Sequence, residues 1–513
     1  MHENQRGQDM DIPKIFQNVI EIDSDKVWQA KNLIGGRWVW PAGTAEFFVT
    51  SPVDGHRVAR LPKVSPAEIA EAIASADTAQ PRIREIAAIE RITLFGRVRE
   101  LLGEYSDFFK YLLLWEAGKP AHEAHGEIEA TKERLRMTMQ EGKKITGEYV
   151  PGDWSHDTIG KIGIVMHEPV GVIAAITPFN YPLYIPAAKI VPALLAGNTV
   201  VAKPASAVPL TLLCFVRLLE EAGFPRGSIN VITGSSQVGD MLVADPRVHL
   251  VSFTGSTEIG QHIAKTAGLK KLHLELGGKG VAIVLEDCDL DLAAQRCVEG
   301  SLKNAGQRCD AISSVLVVEK VADALIERMQ KNMQQWPGGG PQAKETKVGP
   351  LINEAAAERV LSLIEDARQK GAKVLAGGKR CGTYIQPTLL DHVSRDARIA
   401  SEETFGPVVS VIRVKDEDDA MAIAARPHYG LDSCVFTNNY YRMWKLAKHL
   451  EVGGVTINDL PRHGVGYFPF GGVRNSGIGR EGIGYSIEEL TQLKTIVFNL
   501  EPAGLGKKHL PNE

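Results

Sequence analysis

The chain has 513 residues, with 58 Lys plus Arg against 62 Asp plus Glu and a formal net charge of −4. Hydrophobic residues make up 44% and charged residues 23%, which excludes a disordered or strongly acidic, self-solvating chain and predicts roughly two to four domains. The balance leaves no basic footprint for nucleic acid or an anionic membrane surface, and no run of about 18 uncharged apolar residues predicts a membrane span.

Residues 1–11 are polar and carry Glu3, Arg6, Asp9 and Asp11, so no secretory leader is expected. The first thirty or so residues read as a short helix and loop, ahead of a strand-like 32–40. Ser65-Pro66-Ala67-Glu68 is a capping box with proline at the first helical position, and Ile69, Ala70, Ile73 and Ala74 follow on one helical face. Residues 85–115 and 120–142 continue as long amphipathic helical stretches, with a break expected just before Pro120. Lys161–Pro169 reads as an exposed antiparallel arm. Short apolar runs at 171–176, 198–203, 228–233 and 249–253 then alternate with helices at 184–195, 210–222 and 238–243. That alternation predicts a parallel sheet covered on both faces, a doubly wound nucleotide-binding pattern without GxGxxG.

A second alternating series starts at Lys279. Residues 281–285 and 314–318 read as strands, and 322–335, 354–371 and 416–425 as helices. The apolar 494–500 reads as a final strand that pairs with another subunit's arm. The six cysteines are scattered, without CxxC spacing, which argues against a zinc site or a disulfide framework and predicts a reducing, cytoplasmic location with no bound metal.

Glu275 and Cys309 are the residue pair best suited to chemistry. Glu275 precedes Gly277 and Gly278, where the backbone can approach a ligand closely. Cys309 follows Arg308, and a cysteine beside an arginine is expected to have a lowered pKa. A carboxylate near it can act as general base.

These residues fall within an ordered series: Thr177-Pro178-Phe179-Asn180, Lys203-Pro204, 253–260 (FTGSTEIG), Glu275-Leu276-Gly277-Gly278-Lys279, Gly306-Gln307-Arg308-Cys309, Glu403-Thr404-Phe405-Gly406-Pro407 and Pro469-Phe470-Gly471-Gly472. The series resembles the aldehyde dehydrogenase superfamily over about residues 32–500. The resemblance implies an α/β fold: a Rossmann-like cofactor domain (32–144 and 168–277), a second α/β catalytic domain (278–478), and a small β oligomerisation arm (145–167 and 479–505), after an N-terminal extension (1–31). It also implies a homo-oligomer, a dimer of dimers.

By the same resemblance Cys309 is the nucleophile, Asn180 the oxyanion donor and Glu275 the base that activates water on a thioester. Thr177, Pro178, Phe179, Lys203, Ser206, Gly255, Ser256, Gly277, Glu403 and Phe405 are expected to hold a nicotinamide cofactor. Ser206 stands where NAD-preferring members often carry glutamate; a serine can donate to a 2′-phosphate, so NADP is expected, with NAD the alternative. Residues 147–154, 305–311 and 458–471 resemble the non-phosphorylating glyceraldehyde-3-phosphate dehydrogenases, especially the archaeal-type branch. Glyceraldehyde 3-phosphate is therefore the expected substrate, its phosphate on Tyr181, Arg308 and Arg462, with Arg134 or Arg136 a further charge. Lactaldehyde or succinate semialdehyde is the alternative within the superfamily. A non-catalytic relative is disfavoured, because Cys309 and Glu275 both stand.

Overall fold

The computed structural model describes residues 10–41 and 45–500. The expected N-terminal extension and arm therefore lie partly outside the described residues, at 1–9 and 501–505.

Local chemistry starts the helices as the sequence predicts. Ser65 Oγ accepts from the Glu68 N–H at 3.3 Å, and Glu68 Oε2 accepts from the Ser65 N–H at 2.7 Å, so the box caps Pro66–Glu85. The stretch read as one helix over 85–115 is two, Ala88–Glu104 and Ser106–Ala117, divided at Tyr105. Gly118, at φ 70°, ends the second, and Ala121–Glu141 starts directly after Pro120.

The opening residues depart from expectation. A single 3₁₀ turn, Lys14–Phe16, precedes strands Ile20–Ile22 and Trp28–Ala30, which join Arg57–Pro62 and Glu46–Thr50 in a four-stranded sheet. Three-residue strands are too short to show an alternation. Tertiary packing holds them instead: Phe16 stacks on Phe108 at 4.9 Å, and Trp28 on Phe108 at 5.9 Å.

The first large sheet has eight strands, in the order Gly477–Ile478, Lys271–Glu275, Val248–Thr254, Val172–Ile176, Thr199–Lys203, Ile229–Val231, Asn32–Ile34 and Arg37–Val39. The five central strands are parallel. Val172–Ile176 and Thr199–Lys203 are buried at every position. Their side chains alternate between two cores: Ile173, Ala175, Val200 and Ala202 face one, Val172, Ala174, Ile176 and Val201 the other. This is the doubly wound pattern expected from the continuous apolar runs. Chain order reverses between Val172–Ile176 and Val248–Thr254, and a crevice opens there at the carboxyl ends of the strands.

The second large sheet has seven strands, in the order Lys373–Ala376, Thr388–Asp391, Val408–Val414, Ile312–Val318, Gly280–Val284, Asp432–Phe436 and Gly454–Ile457; only Lys373–Ala376 pairs antiparallel. Its core is separate from those of the first sheet.

A three-stranded antiparallel sheet completes the fold, in the order Thr491–Asn499, Lys161–Pro169, Glu148–Pro151. The last strand was expected to pair with another subunit. It pairs instead with Lys161–Pro169 of its own chain over nine residues, from Thr491 opposite Pro169 to Asn499 opposite Lys161. That pairing covers one edge of the last strand, which stands at the end of the sheet.

Candidate active site

The crevice at the reversal point is a cavity of about 920 Å³. Nine of the ten residues expected to hold a cofactor border it: Thr177, Pro178, Phe179, Lys203, Gly255, Ser256, Gly277, Glu403 and Phe405. Asn180 and Cys309 border it too.

The lining fits a dinucleotide. Helix Thr257–Thr266 starts at the cavity wall, with Ser256 Oγ accepting from the Ile259 N–H at 3.4 Å. Among the described residues the N–H groups of Thr257 and Glu258 have no acceptor, an arrangement suited to a pyrophosphate. Gly277 packs against Glu403 so closely that a Cβ there would lie 2.9 Å from Glu403 Oε2. The Gly278 N–H donates to Glu403 Oε1 at 3.1 Å, and burial pushes this carboxyl up to about 7. Phe405 sits at φ 49°, a conformation a bulky residue seldom adopts, and meets Phe179 edge-on at 5.7 Å. Burial draws the Lys203 ammonium down to about 8, and its Nζ donates to the Pro204 carbonyl at 3.4 Å. Ser206 is the exception. It does not line the cavity, and its O–H donates to the Gly234 carbonyl at 2.8 Å. The donor expected to meet a 2′-phosphate is therefore committed to the backbone.

Cys309 is placed by a tight loop. Asn304, Ala305 and Gly306 are all left-handed, at φ 53°, 53° and 70°. For two non-glycine residues this costs on the order of 1 kcal/mol each. The loop is held from both sides: the Asn304 N–H donates to Glu123 Oε1 at 3.1 Å, and Asn304 Nδ2 to the Asn180 carbonyl at 3.1 Å. Asn180 Nδ2 donates to the Gln307 carbonyl at 2.9 Å, which fixes its amide and leaves its second N–H for a ligand. The Cys309 N–H has no acceptor among the described residues. An Asn180 N–H and the Cys309 N–H thus supply the donor pair an oxyanion needs.

The electrostatics of the thiol differ from expectation. Arg308 does not acidify it: its Nη2 donates to Asp310 Oδ2 at 2.7 Å. Burial pushes the Cys309 thiol up, and the carboxylates of Asp310, Glu275, Glu403 and Asp432 push it further. A protonated resting thiol follows. Alkylation of Cys309 by iodoacetamide in the nucleotide-free enzyme should rise roughly tenfold per pH unit between pH 7 and 9, followed by peptide mass spectrometry. A flat profile would mean that the thiol is already ionised.

Glu275 ends the strand Lys271–Glu275 and is 2% exposed, with no hydrogen-bond partner on either carboxylate oxygen. Burial raises its pKa and Glu481 raises it further, against Lys189 and Arg480. A carboxyl so placed is a strong base once ionised.

Three of the four predicted substrate arginines have other work. Arg462 is half exposed and lies 3.1 Å from Glu299 and 3.4 Å from Asp459. Arg134 is buried, donating to the Val465 and Gly482 carbonyls and to Ser486 Oγ. Arg136 pairs with Glu133. Arg308 is buried; its Nη2 donates to Asp310, and its buried Nη1 has no hydrogen-bond partner. Tyr181, next in chain to Asn180, feels the charge of Arg308, and Lys119 Nζ lies 3.9 Å above its ring. His463 is not among the residues the sequence singles out. Burial alone would lower its pKa, but Asp432 Oδ2, 3.0 Å from its Nε2, more than offsets this and raises it. It also feels Arg308 and Asp310, so it belongs to the same neighbourhood. A histidine directly after Arg462 was the available signal.

Comparison with known proteins agrees with this architecture. The profile described as "Aldehyde dehydrogenase family" matches residues 38–496. The chain is 40% identical over 475 residues to an NADP-dependent glyceraldehyde-3-phosphate dehydrogenase of Streptococcus equinus, covering 92% of this chain and 99% of that one. It is 37% identical over 488 residues to the succinate-semialdehyde dehydrogenase [NADP(+)] GabD of Escherichia coli K12, covering 94% and 100%. A crystal structure of the NADP-dependent glyceraldehyde-3-phosphate dehydrogenase from Bacillus halodurans C-125, complexed with NADP, superposes with a TM-score of 0.90 at 39% identity, covering 92% of this chain and 100% of that one. The chain belongs to the aldehyde dehydrogenase family.

Proposed function

We propose that the protein oxidises glyceraldehyde 3-phosphate to 3-phosphoglycerate with NADP, through a thioester on Cys309 that water hydrolyses. The observation that supports the substrate is the buried Arg308 guanidinium, adjacent to the nucleophile, with Nη1 unpartnered and Tyr181 beside it. A buried N–H left without an acceptor favours a ligand that brings one, and a charged acceptor makes the stronger bond.

Cys309 loses its proton to solvent, its thiolate sulfur attacks the aldehyde carbon, and the carbonyl oxygen becomes an alkoxide held by the Cys309 and Asn180 N–H groups. A nicotinamide cofactor held by Gly277, Glu403 and Phe405 would supply the acceptor for the hydride that leaves this carbon. The carbon is then a thioester. Glu275 takes a proton from water, whose oxygen attacks the thioester carbonyl; the carbon–sulfur bond breaks and the free acid leaves. Lys203 supports NADP as a cation at the adenosine end, and the absence of a carboxylate at Ser206 removes a repulsion. NAD is the alternative.

Arg308→Lys tests the receptor. It keeps a charge but cannot hold Asp310 and a phosphate together. It should lower kcat/KM for glyceraldehyde 3-phosphate by roughly ten- to a hundredfold, the loss of one charge-assisted contact of about 1.5–3 kcal/mol. Unphosphorylated glyceraldehyde should change much less. Equal losses would remove the receptor. Arg462→Ala should have little effect, because its charge is already matched by Glu299 and Asp459.

A second reading has one observation in its favour. An Arg308 guanidinium whose charge is already paired with Asp310 at 2.7 Å suits a singly charged acid group better than a phosphate. Succinate semialdehyde or lactaldehyde would then be the substrate, and steady-state rates across these aldehydes with NADP and NAD separate the readings.

We also propose a homo-oligomer, a dimer of dimers, in the cytoplasm. Tyr149, Ile164, Ile496 and Phe498 stand exposed on one side of the three-stranded sheet, an apolar face that another copy would cover. All six cysteines are free thiols. Light scattering at micromolar concentration should give a multiple of the chain mass; a stable monomer would contradict this.

A further inference from the structure

Behind Glu275 lies a buried polar chain that the mechanism above does not use. His273 precedes Glu275 by two residues on the strand Lys271–Glu275, so both side chains leave the same face. His273 is 4% exposed, and its Nε2 has no hydrogen-bond partner. That atom lies 3.5 Å from Glu275 Oε1, itself unpartnered. On the neighbouring parallel strand Ser252 is the register partner of His273, and Ser252 Oγ lies 3.1 Å from His273 Nδ1. Lys189, buried on helix Tyr184–Leu195, donates from Nζ to the same Ser252 oxygen at 3.2 Å.

Hydrogen-bond capacity fixes the direction of this chain. A protonated lysine has donors only, so Ser252 Oγ accepts from Lys189. The Ser252 hydroxyl proton is then free to point at His273 Nδ1, which accepts it. A neutral imidazole that accepts at Nδ1 carries its proton at Nε2, the nitrogen facing Glu275. Burial keeps the imidazole neutral, as do the nearby cations Lys189, Lys271 and Arg134.

We propose that His273 is a positioning residue for the hydrolytic base: Lys189 and Ser252 lock it as the Nε2–H tautomer, which donates to the Glu275 carboxylate and holds it in the charged form that water activation requires. The inference rests on Glu275 acting as that base. The carboxylate is otherwise poorly served. Glu481 and Asp432 face it with like charge, and Cys309 faces it from the nucleophile loop. Lys189 and Arg480 supply opposing charge, but neither bonds it. A donor two residues upstream on the same strand supplies a short-range contact without adding a charge.

p-Nitrophenyl acetate tests this without the cofactor or the natural aldehyde. Its nitrophenolate burst reports acylation of Cys309, and its steady-state rate reports deacylation. In His273→Ala the acid limb of the deacylation profile should move up by about one pH unit, a roughly tenfold loss on its acid side. His273→Gln keeps an amide N–H and should recover most of the shift. Ser252→Ala releases the tautomer and should give a smaller shift in the same direction; it also serves if His273→Ala fails to fold. An unmoved limb in His273→Ala, or in Ser252→Ala where that variant stands in, overturns the proposal. So does an equal shift in the Ala and Gln variants. Glu275→Gln separates the two layers: parental deacylation there means that the base assignment has failed, and the His273 proposal with it.

Discussion

Cys309→Ala is expected to lower aldehyde oxidation by at least about a hundredfold while cofactor binding persists. The two functions rest on different parts of the chain. The thiol stands at the end of the loop 303–309, whereas Lys203, Ser256 and Gly277 follow strands of the first sheet. Removing Sγ leaves the oxyanion donors in place, because Asn180 is held by the Gln307 carbonyl and not by the cysteine side chain. Steady-state rates give the first readout, and titration of NADP by fluorescence the second. Retention of more than about a hundredth of the parental rate would exclude covalent catalysis through this residue.

Glu275→Gln should separate the two halves of the reaction. The first half needs the thiol and the oxyanion donors and should still give a burst of reduced cofactor. The second needs a base, and its loss should slow hydrolysis by roughly a hundred- to ten-thousandfold. The amide is nearly isosteric with the carboxylate, so the buried pocket is preserved; the burial that makes Glu275 a stronger base has no counterpart in an amide. A vanished burst would place Glu275 earlier, in activation of the thiol. That alternative has a physical basis, since the Cys309 thiol is itself pushed up by burial and needs a proton acceptor.

Much of this site was legible before any coordinates. The capping box at Ser65, the continuous apolar runs of the doubly wound sheet, and the glycines at 277 and 278 are local features, and each acts locally in the structure. The motif residues Thr177 to Asn180, Lys203, Gly255, Glu403 and Phe405 converge on one cavity because each follows a strand or opens a helix at the same end of the first sheet, or lies on a loop that closes over it.

What was not legible is pairwise and long-range. Arg308 beside Cys309 in sequence suggested a cation for the thiol, but sequence adjacency does not fix side-chain direction, and Asp310 captures the guanidinium. Arg462 looked free until Glu299, 163 residues away, was placed against it. His463 meets Asp432, on a strand of the second sheet. The final strand finds its partner 322–338 positions upstream in the same chain, from Thr491 opposite Pro169 to Asn499 opposite Lys161, a pairing no local pattern reveals. His273 is the intermediate case: its spacing from Glu275 was readable, but Ser252 and Lys189, which set its tautomer, were not.

The most direct test of the account is rapid-quench mass spectrometry of the Glu275→Gln enzyme, mixed with NADP and whichever aldehyde the substrate panel favours. The account predicts one reduced cofactor per active site in the burst, together with an acyl adduct on the peptide carrying Cys309 that decays slowly. A burst with no adduct, or an adduct on any other residue, would contradict a thioester on Cys309 hydrolysed with the help of Glu275.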